Sequence, residues 1–382
     1  MNETLSLFGG PLYRLGCRVG LIRNKTNFLA LGLVLGVGLW TVLLALTLIE
    51  GSQDRVLSIA QISGHVRLLV VIPLFFLAET LLADRPAHFI RTIVESQVVA
   101  RGDVPVLDVD VARVNRLQNA WQPEAVCLIL AALSPPLVQH LNMPGAIATY
   151  PNERTDAAGA LTAFWYWTVC MTVFRFLLLR WLWRLALWMH LLWRVSRLRL
   201  QFIPTHPDGS GGIGYLEVLQ AQYAPLVMGV SAVFAAALAE EIAVGTRPFE
   251  TIYPSFLLIL LADALLFIAP LTVFAPRLYA SRERGIVDYT VYAARYLRDF
   301  EGKWMRPAID PSAAPLAAAD VQSLADMINV INGVRRMSLI PAGPSLLLTL
   351  GIAALLPFLP LSLLKYPVEE LAARLVQTLL AL

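Results

Sequence analysis

The feature that most limits this chain is a series of apolar runs, each close to the length a helix needs to cross a bilayer. A helix rises about 1.5 Å per residue, so about 20 apolar residues span a hydrocarbon core roughly 30 Å thick. Runs near 28–49, 122–141, 160–181, 222–244, 254–275 and 343–364 meet that length. A shorter run near 68–83 reaches across with tilt or local thinning of the bilayer. Hydrophobic residues make up 57% of the chain and charged residues 15%, too few polar groups to cover a soluble globule. The expectation is an all-α fold: a single membrane domain over 1–382, with about seven transmembrane helices and helical cytoplasmic insertions.

Arg14, Arg18, Arg23 and Lys25 precede the first run and resemble the basic start of a signal peptide. The run is too long and lacks a small-residue cleavage site, so it is expected to remain as a span. Placing the N-terminus in the cytoplasm puts 84–121, 182–221 and 276–342 on the same side. The inside segments then hold 22 Lys and Arg, and the outside segments with the tail hold 6. That asymmetry favours a cell-membrane protein with its N-terminus inside and its C-terminus outside. The tail at 366–382 places Leu371, Leu375, Leu379 and Leu382 at helical spacing, as an amphipathic surface helix would.

Gly32 and Gly36 stand in GxxxG spacing, and Gly229, Ala232, Ala236, Ala239 and Ala243 continue the pattern in a later span. Small residues so spaced let helices approach closely, within one chain or in a homo-oligomer. Pro135, Pro136, Pro270, Pro357 and Pro360 each remove a backbone donor and can kink a span. Cys17, Cys127 and Cys170 lie far apart and read as inert small hydrophobes. The Arg residues form no solvent-facing nucleic-acid patch.

Glu79, Arg175 and Asp263 fall inside spans, where an ionised side chain is costly. They are candidates for permeation or coupling, against the plainer reading of an ion pair between Arg175 and Asp263. The fourth span runs on into RWLWRLALWMHLLWRVSRLRLQF over 180–202, on which Arg180, Arg184, His190 and Arg194 share an irregular basic face. Such a face suits anionic lipid at the membrane surface, an anion-attracting vestibule, or packing in which the arginines satisfy carbonyls and carboxylates.

Next comes THPDGSGGIGYLE at 205–217. Gly209, Gly211 and Gly214 formally match GxGxxG, but no strand precedes them, which argues against a dinucleotide fold. Glycine-rich backbone before a helix can present N–H groups to an anion. With Arg180, Arg184, Arg194 and Arg197 nearby, the residues His206, Asp208, Gly211, Gly212 and Gly214 form a candidate anion or lipid-headgroup site. The plainer reading is a tight turn capped by Asp208. The string resembles one found between spans of uncharacterised bacterial multi-pass membrane proteins, in which His-Pro-Asp-x-x-Gly-Gly-x-Gly recurs. The resemblance covers about a dozen residues, and it implies only that these residues act together.

Within 276–342, Tyr289, Tyr292, Tyr296 and Phe300 form an aromatic face. A second helix near 319–335 offers Val321, Leu324, Ile328, Ile331 and Val334, with Pro307, Pro311 and Pro315 between the two. An antiparallel hairpin is expected, and a helical pair within 84–121, its second helix starting near Asp108.

Neither HExxH nor GxSxG occurs, and the five His are scattered, so the reading leans away from an enzyme and calls for no cofactor, catalytic residue or metal. The leading expectation is a channel or transporter for small ions, with anions favoured by the Arg face. The alternative is a scaffold or sensor that binds anionic lipid and recruits a cytoplasmic protein through the hairpin.

Overall fold

A computed structural model describes residues 27–51, 61–140, 160–246, 248–249, 252–305 and 319–362; side chains are described over slightly narrower ranges. The basic N-terminal segment, the predicted outer loop 142–159, the linker prolines and the tail at 366–382 lie outside the described residues.

The described chain is all-helical. Helix α1 is Asn27–Ile49. Helix α2 covers 62–82 as Ile62–Val66, a π turn at Arg67–Val71, and Ile72–Leu82. Then follow α3 (Arg85–Glu95), α4 (Val104–Asn119), α5 (Trp121–His140) and α6 (Ala160–Arg197). Next are α7 (Tyr215–Ala221), α8 (Ala224–Ala243) and α9 (Ile252–Phe267), then a 3-10 segment Ala269–Phe274. Helices α10 (Ala275–Trp304), α11 (Ala319–Arg335) and α12 (Pro344–Leu355) complete the order.

Five stretches are long and apolar enough to cross a membrane: Phe28–Ile49, Ile62–Glu95, Ala160–Arg197, Tyr215–Ala243 and Pro344–Leu361. A sixth arises if Pro254–Phe267 and Ala269–Trp304, bent by 44°, count together. The bend falls where Pro270 lacks a backbone donor. The predicted sixth span and the first arm of the hairpin are therefore one bent rod. Trp121–Ser134 is a shorter apolar helix at the predicted third span.

Large apolar side chains lie on the outside as well as in the core that holds Phe75, Phe89 and Trp188. Val34, Ile129, Leu133, Leu258, Leu265 and Leu348 face outward, while Glu79, Arg180, Arg184 and Asp263 are buried. An apolar exterior spread over α1, α5, α9 and α12 fits a protein surrounded by lipid.

Helix α1 packs along α2. A Cβ at Gly32 would lie 2.7 Å from Phe76 Cβ, and one at Gly36 would lie 2.3 Å from the Leu68 carbonyl oxygen. The GxxxG face thus serves contact within the chain. Helix α8 lies against α2 on one side and α12 on another, and Gly229 admits Val71 and Phe75.

Carboxylates tie the helix ends together. Glu50, just past α1, accepts from the backbone N–H groups of Leu161 (2.8 Å) and Thr162 (3.1 Å) at the start of α6. Glu240, near the end of α8, accepts from Ser63 N–H (2.7 Å) at the start of α2. Each places negative charge where a helix has unpaired donors. One end of the bundle therefore gathers the last turns of α1 and α8 and the first turns of α2 and α6.

The second span is longer than expected. Ser63, His65 and Arg67 depress its hydropathy, yet each is engaged: Trp40 Nε1–H donates to His65 Nδ1 (2.9 Å) and Arg67 donates to Tyr166 Oη (3.0 Å).

Helices α10 and α11 pack as a hairpin, with two corrections to the expected faces. Tyr292 is 63% exposed, and Ala293 fills the packed position. On α11, Val321 and Ile328 face outward, while Leu324, Met327, Ile331 and Val334 turn inward. Helix α4 begins at Val104, a turn before the expected start near Asp108.

Candidate functional site

Two constellations stand out: a buried charge cluster and the glycine loop. Helix α6 continues unbroken from its apolar half into its basic half, and one turn separates Arg180 from Arg184, so both reach the same neighbour. That neighbour is Glu79 on α2. Arg180 Nη1 and Nη2 donate to its two oxygens at 3.0 and 3.2 Å, and Arg184 Nη1 lies 2.9 Å from Oε1. Arg180 Nε–H donates to Glu124 Oε1 on α5 at 3.1 Å. Glu79 and Arg180 are each 2% exposed and Arg184 is 4% exposed. The Arg184 guanidinium also lies 5.7 Å from the Trp181 ring centroid.

Two positive and two negative groups meet where α2, α5 and α6 converge. The bidentate pair is the strong form of this contact. At that burial its main effect is to penalise any arrangement that separates the partners. Glu79 stands out in the sequence by its position inside a span; only the fold brings Glu124 to Arg180.

Of the three uses considered for the basic face, packing against carboxylates applies to Arg180, Arg184 and Arg194. Arg194 Nε–H donates to Asp110 Oδ2 of α4 at 3.0 Å. Arg197 instead lies 5.2 Å from the Trp193 ring centroid. Arg180 and Arg184 are thus taken out of the proposed headgroup site.

Asp263 on α9 does not pair with Arg175. Its Oδ2 accepts from Ser231 Oγ on α8 at 3.2 Å, with Asp263 8% exposed and Ser231 fully buried. Arg175 is half-buried on α6.

The glycine loop is built around Asp208. Its carboxylate accepts from the N–H groups of Ser210 (2.9 Å), Gly212 (3.0 Å) and Gly214 (2.7 Å), and His206 Nδ1 lies 2.8 Å from Oδ1. Burial works against the charge, but these donors outweigh it and hold the carboxyl below its usual range. Gly211 and Gly212 have φ of +68° and +102°, which favours glycine. A Cβ at Gly212 would lie 2.5 Å from Val98 Cγ2. The nest of donors that a phosphate would need is therefore filled by Asp208, and the capped-turn reading describes the loop.

The loop and residues 198–204 leading into it also serve as a junction. Gln201 N–H donates to Val98 O (2.7 Å), Ser338 N–H donates to Gly209 O (2.8 Å), and Arg277 donates to the Leu198 carbonyl. They thereby join the α3–α4 connection, the base of α10 and the segment after α11. Glu217 on α7 accepts from Ser345 Oγ at the start of α12.

Cys127 and Cys170 are buried and free. Among the described residues no three His, Cys, Asp or Glu side chains are grouped to hold a metal ion. Compared with known proteins, the chain matches no family model, no curated protein and no solved structure.

Proposed function

We propose that this protein is a seven-span cell-membrane protein, N-terminus inside, that moves small ions. The spans are α1, α2, α5, α6, α8, α9 and α12, and the excess of 22 basic residues over 6 supports the orientation. The grouped helix ends at Glu50 and Glu240 form the outer end, with the glycine loop and the hairpin inside. Glu79 then lies about 25 Å along α2, near the inner edge of a core roughly 30 Å thick.

The observation that carries the transport reading is Asp263. It sits roughly midway through the bilayer on α9, counted at about 1.5 Å per residue, with a hydroxyl as its hydrogen-bond partner. An intramembrane acid that pairs with no Arg, Lys or His among the described residues is a site suited to ion coupling. Anion preference loses its support, because the arginines behind it are bound to Glu79, Glu124 and Asp110. The test is flux through liposomes holding purified protein, driven by cation and anion gradients in turn. Cation flux lost in Asp263→Asn supports the reading, and absence of flux from folded wild-type protein removes it.

A second reading has its own observation. The hairpin exposes Val287, Val291, Tyr292, Ile328 and Val330, apolar surface suited to recruiting a cytoplasmic partner or a second copy. In that reading the protein is a scaffold, the exposed Arg197 and Trp193 lie against anionic lipid, and deleting 283–330 abolishes partner capture while flux is absent throughout.

A further inference from the structure

Helix α9 has two unlike faces. Leu257, Leu258, Leu261 and Leu265 point outward, while Ile259, Asp263 and Phe267, spaced four apart, form the buried seam toward α8. A carboxyl set between two apolar residues on a helix seam is out of keeping with everything else on that seam. Ile or Leu there would pack with no electrostatic cost.

The surroundings narrow what this group can bind. Packed against α9 are α8, the 269–274 segment and α12, together with Phe358 against Phe256, and Gln220 and Tyr223 against Phe267. Tyr223 is a titratable group that meets α9 at Phe267, one turn past Asp263, and Glu217 of α7 is engaged with Ser345. The 269–274 segment and α12 carry no titratable side chain. On α8 such groups are Glu240 and Glu241, more than two turns beyond Ser231; Glu240 is engaged with Ser63. Among the described residues no Arg, Lys or His forms an ion pair with Asp263. The hydrogen bond to its carboxyl comes from Ser231 Oγ. One carboxyl and one hydroxyl are too few oxygens for a hard metal cation, which takes six or more. They are sufficient for a single proton, which converts the carboxylate to a carboxylic acid that exchanges one O–H with Ser231.

We propose that Asp263, supported by Ser231, is a proton-binding carboxyl within the membrane and that the proton is the ion this site takes up and releases. The proposal rests on the transport reading for the position of Asp263 inside the bilayer. It names the substrate of that reading as the proton.

A carbodiimide tests it chemically. Dicyclohexylcarbodiimide partitions into lipid and reacts with a protonated carboxyl: the acid gives its proton to a carbodiimide nitrogen, the carboxyl oxygen bonds to the central carbon, and rearrangement leaves a stable N-acylurea. Full-length protein in liposomes is treated with this reagent over a pH series, and adducts are mapped by mass spectrometry. The expected result is one adduct on the peptide containing Asp263, declining as pH rises and lost in Asp263→Asn. Ser231→Ala, which removes the hydroxyl that stabilises the anion, extends labelling to higher pH. No adduct at Asp263 in folded protein, or an adduct independent of pH, overturns the proposal. Labelling without flux leaves the proton site standing and removes transport. No adduct at Asp263 in wild-type protein, with flux retained in Asp263→Asn, does the reverse.

Discussion

Arg180 on α6 grips Glu79 on α2 with two hydrogen bonds, 3.0 and 3.2 Å, across 101 positions of sequence. Arg184 shares the same carboxylate, so removing Glu79 takes one acceptor from two buried guanidinium groups at once. Glu79→Gln is expected to lower stability by about 3–5 kcal/mol, the scale for breaking a buried pair. Thermal unfolding in detergent measures it, and Arg180→Gln added to Glu79→Gln is expected to cost less than the sum of the two single changes. Additive losses would mean that the two residues act separately.

Asp208 holds its loop by accepting three backbone N–H groups. Asp208→Ala leaves those donors without their partner, at about 1–3 kcal/mol for a buried unsatisfied group. Hydrogen exchange at Gly212 and Gly214 is expected to quicken accordingly. The folded-state pKa of Asp208 lies below its ordinary value. Its contribution is therefore complete above the usual carboxylate range, near about pH 4, and is lost as pH falls through the lower folded value. Protection of the two glycine amides should fall in acid along with it.

Gly212→Ala meets both a φ of +102° and the Val98 side chain. A loss of about 1–3 kcal/mol is expected from the backbone conformation alone. Gly302→Ala is the control: it sits in α10 with nothing within 4 Å of the added Cβ, and should be neutral or stabilising by up to about 1 kcal/mol.

Gly36→Ala is expected to push α1 off α2, because the new methyl would meet the Leu68 carbonyl oxygen, whereas Gly38→Ala meets nothing within 4 Å. A disulfide engineered between α1 and α2 should form more slowly in Gly36→Ala and unchanged in Gly38→Ala. Equal rates would place the glycine face elsewhere than between these helices.

The local parts of this architecture were legible. Runs of about 20 apolar residues announce helices because no other backbone satisfies its own polar groups in lipid, and Pro270 announced the bend after α9. What escaped was pairing between distant elements. Hydropathy cut the second span short at residue 68 because Ser63, His65 and Arg67 look wrong in a membrane until Glu240, Trp40 and Tyr166 are brought to them. Glu124, at a helix start, gave no sign that Arg180 would reach it. Asp263 and Arg175 were matched by charge, but pairing depends on which helices touch and at what rotation. In the glycine loop the donors were legible, and the acceptor that fills them was the Asp within the same string.

The account turns on the bundle spanning a membrane, which puts Asp263 in the bilayer, and on its Glu50 and Glu240 end lying outside. Single cysteines introduced at Gly51, Thr246, Gln201 and Gly302, in a chain with Cys17, Cys127 and Cys170 replaced by Ala, test it with a membrane-impermeant maleimide on intact, sealed cells. Labelling at positions 51 and 246, with 201 and 302 reached only after the membrane is opened, is the predicted result. Labelling at 201 or 302 in sealed cells, or equal labelling at all four, would contradict it.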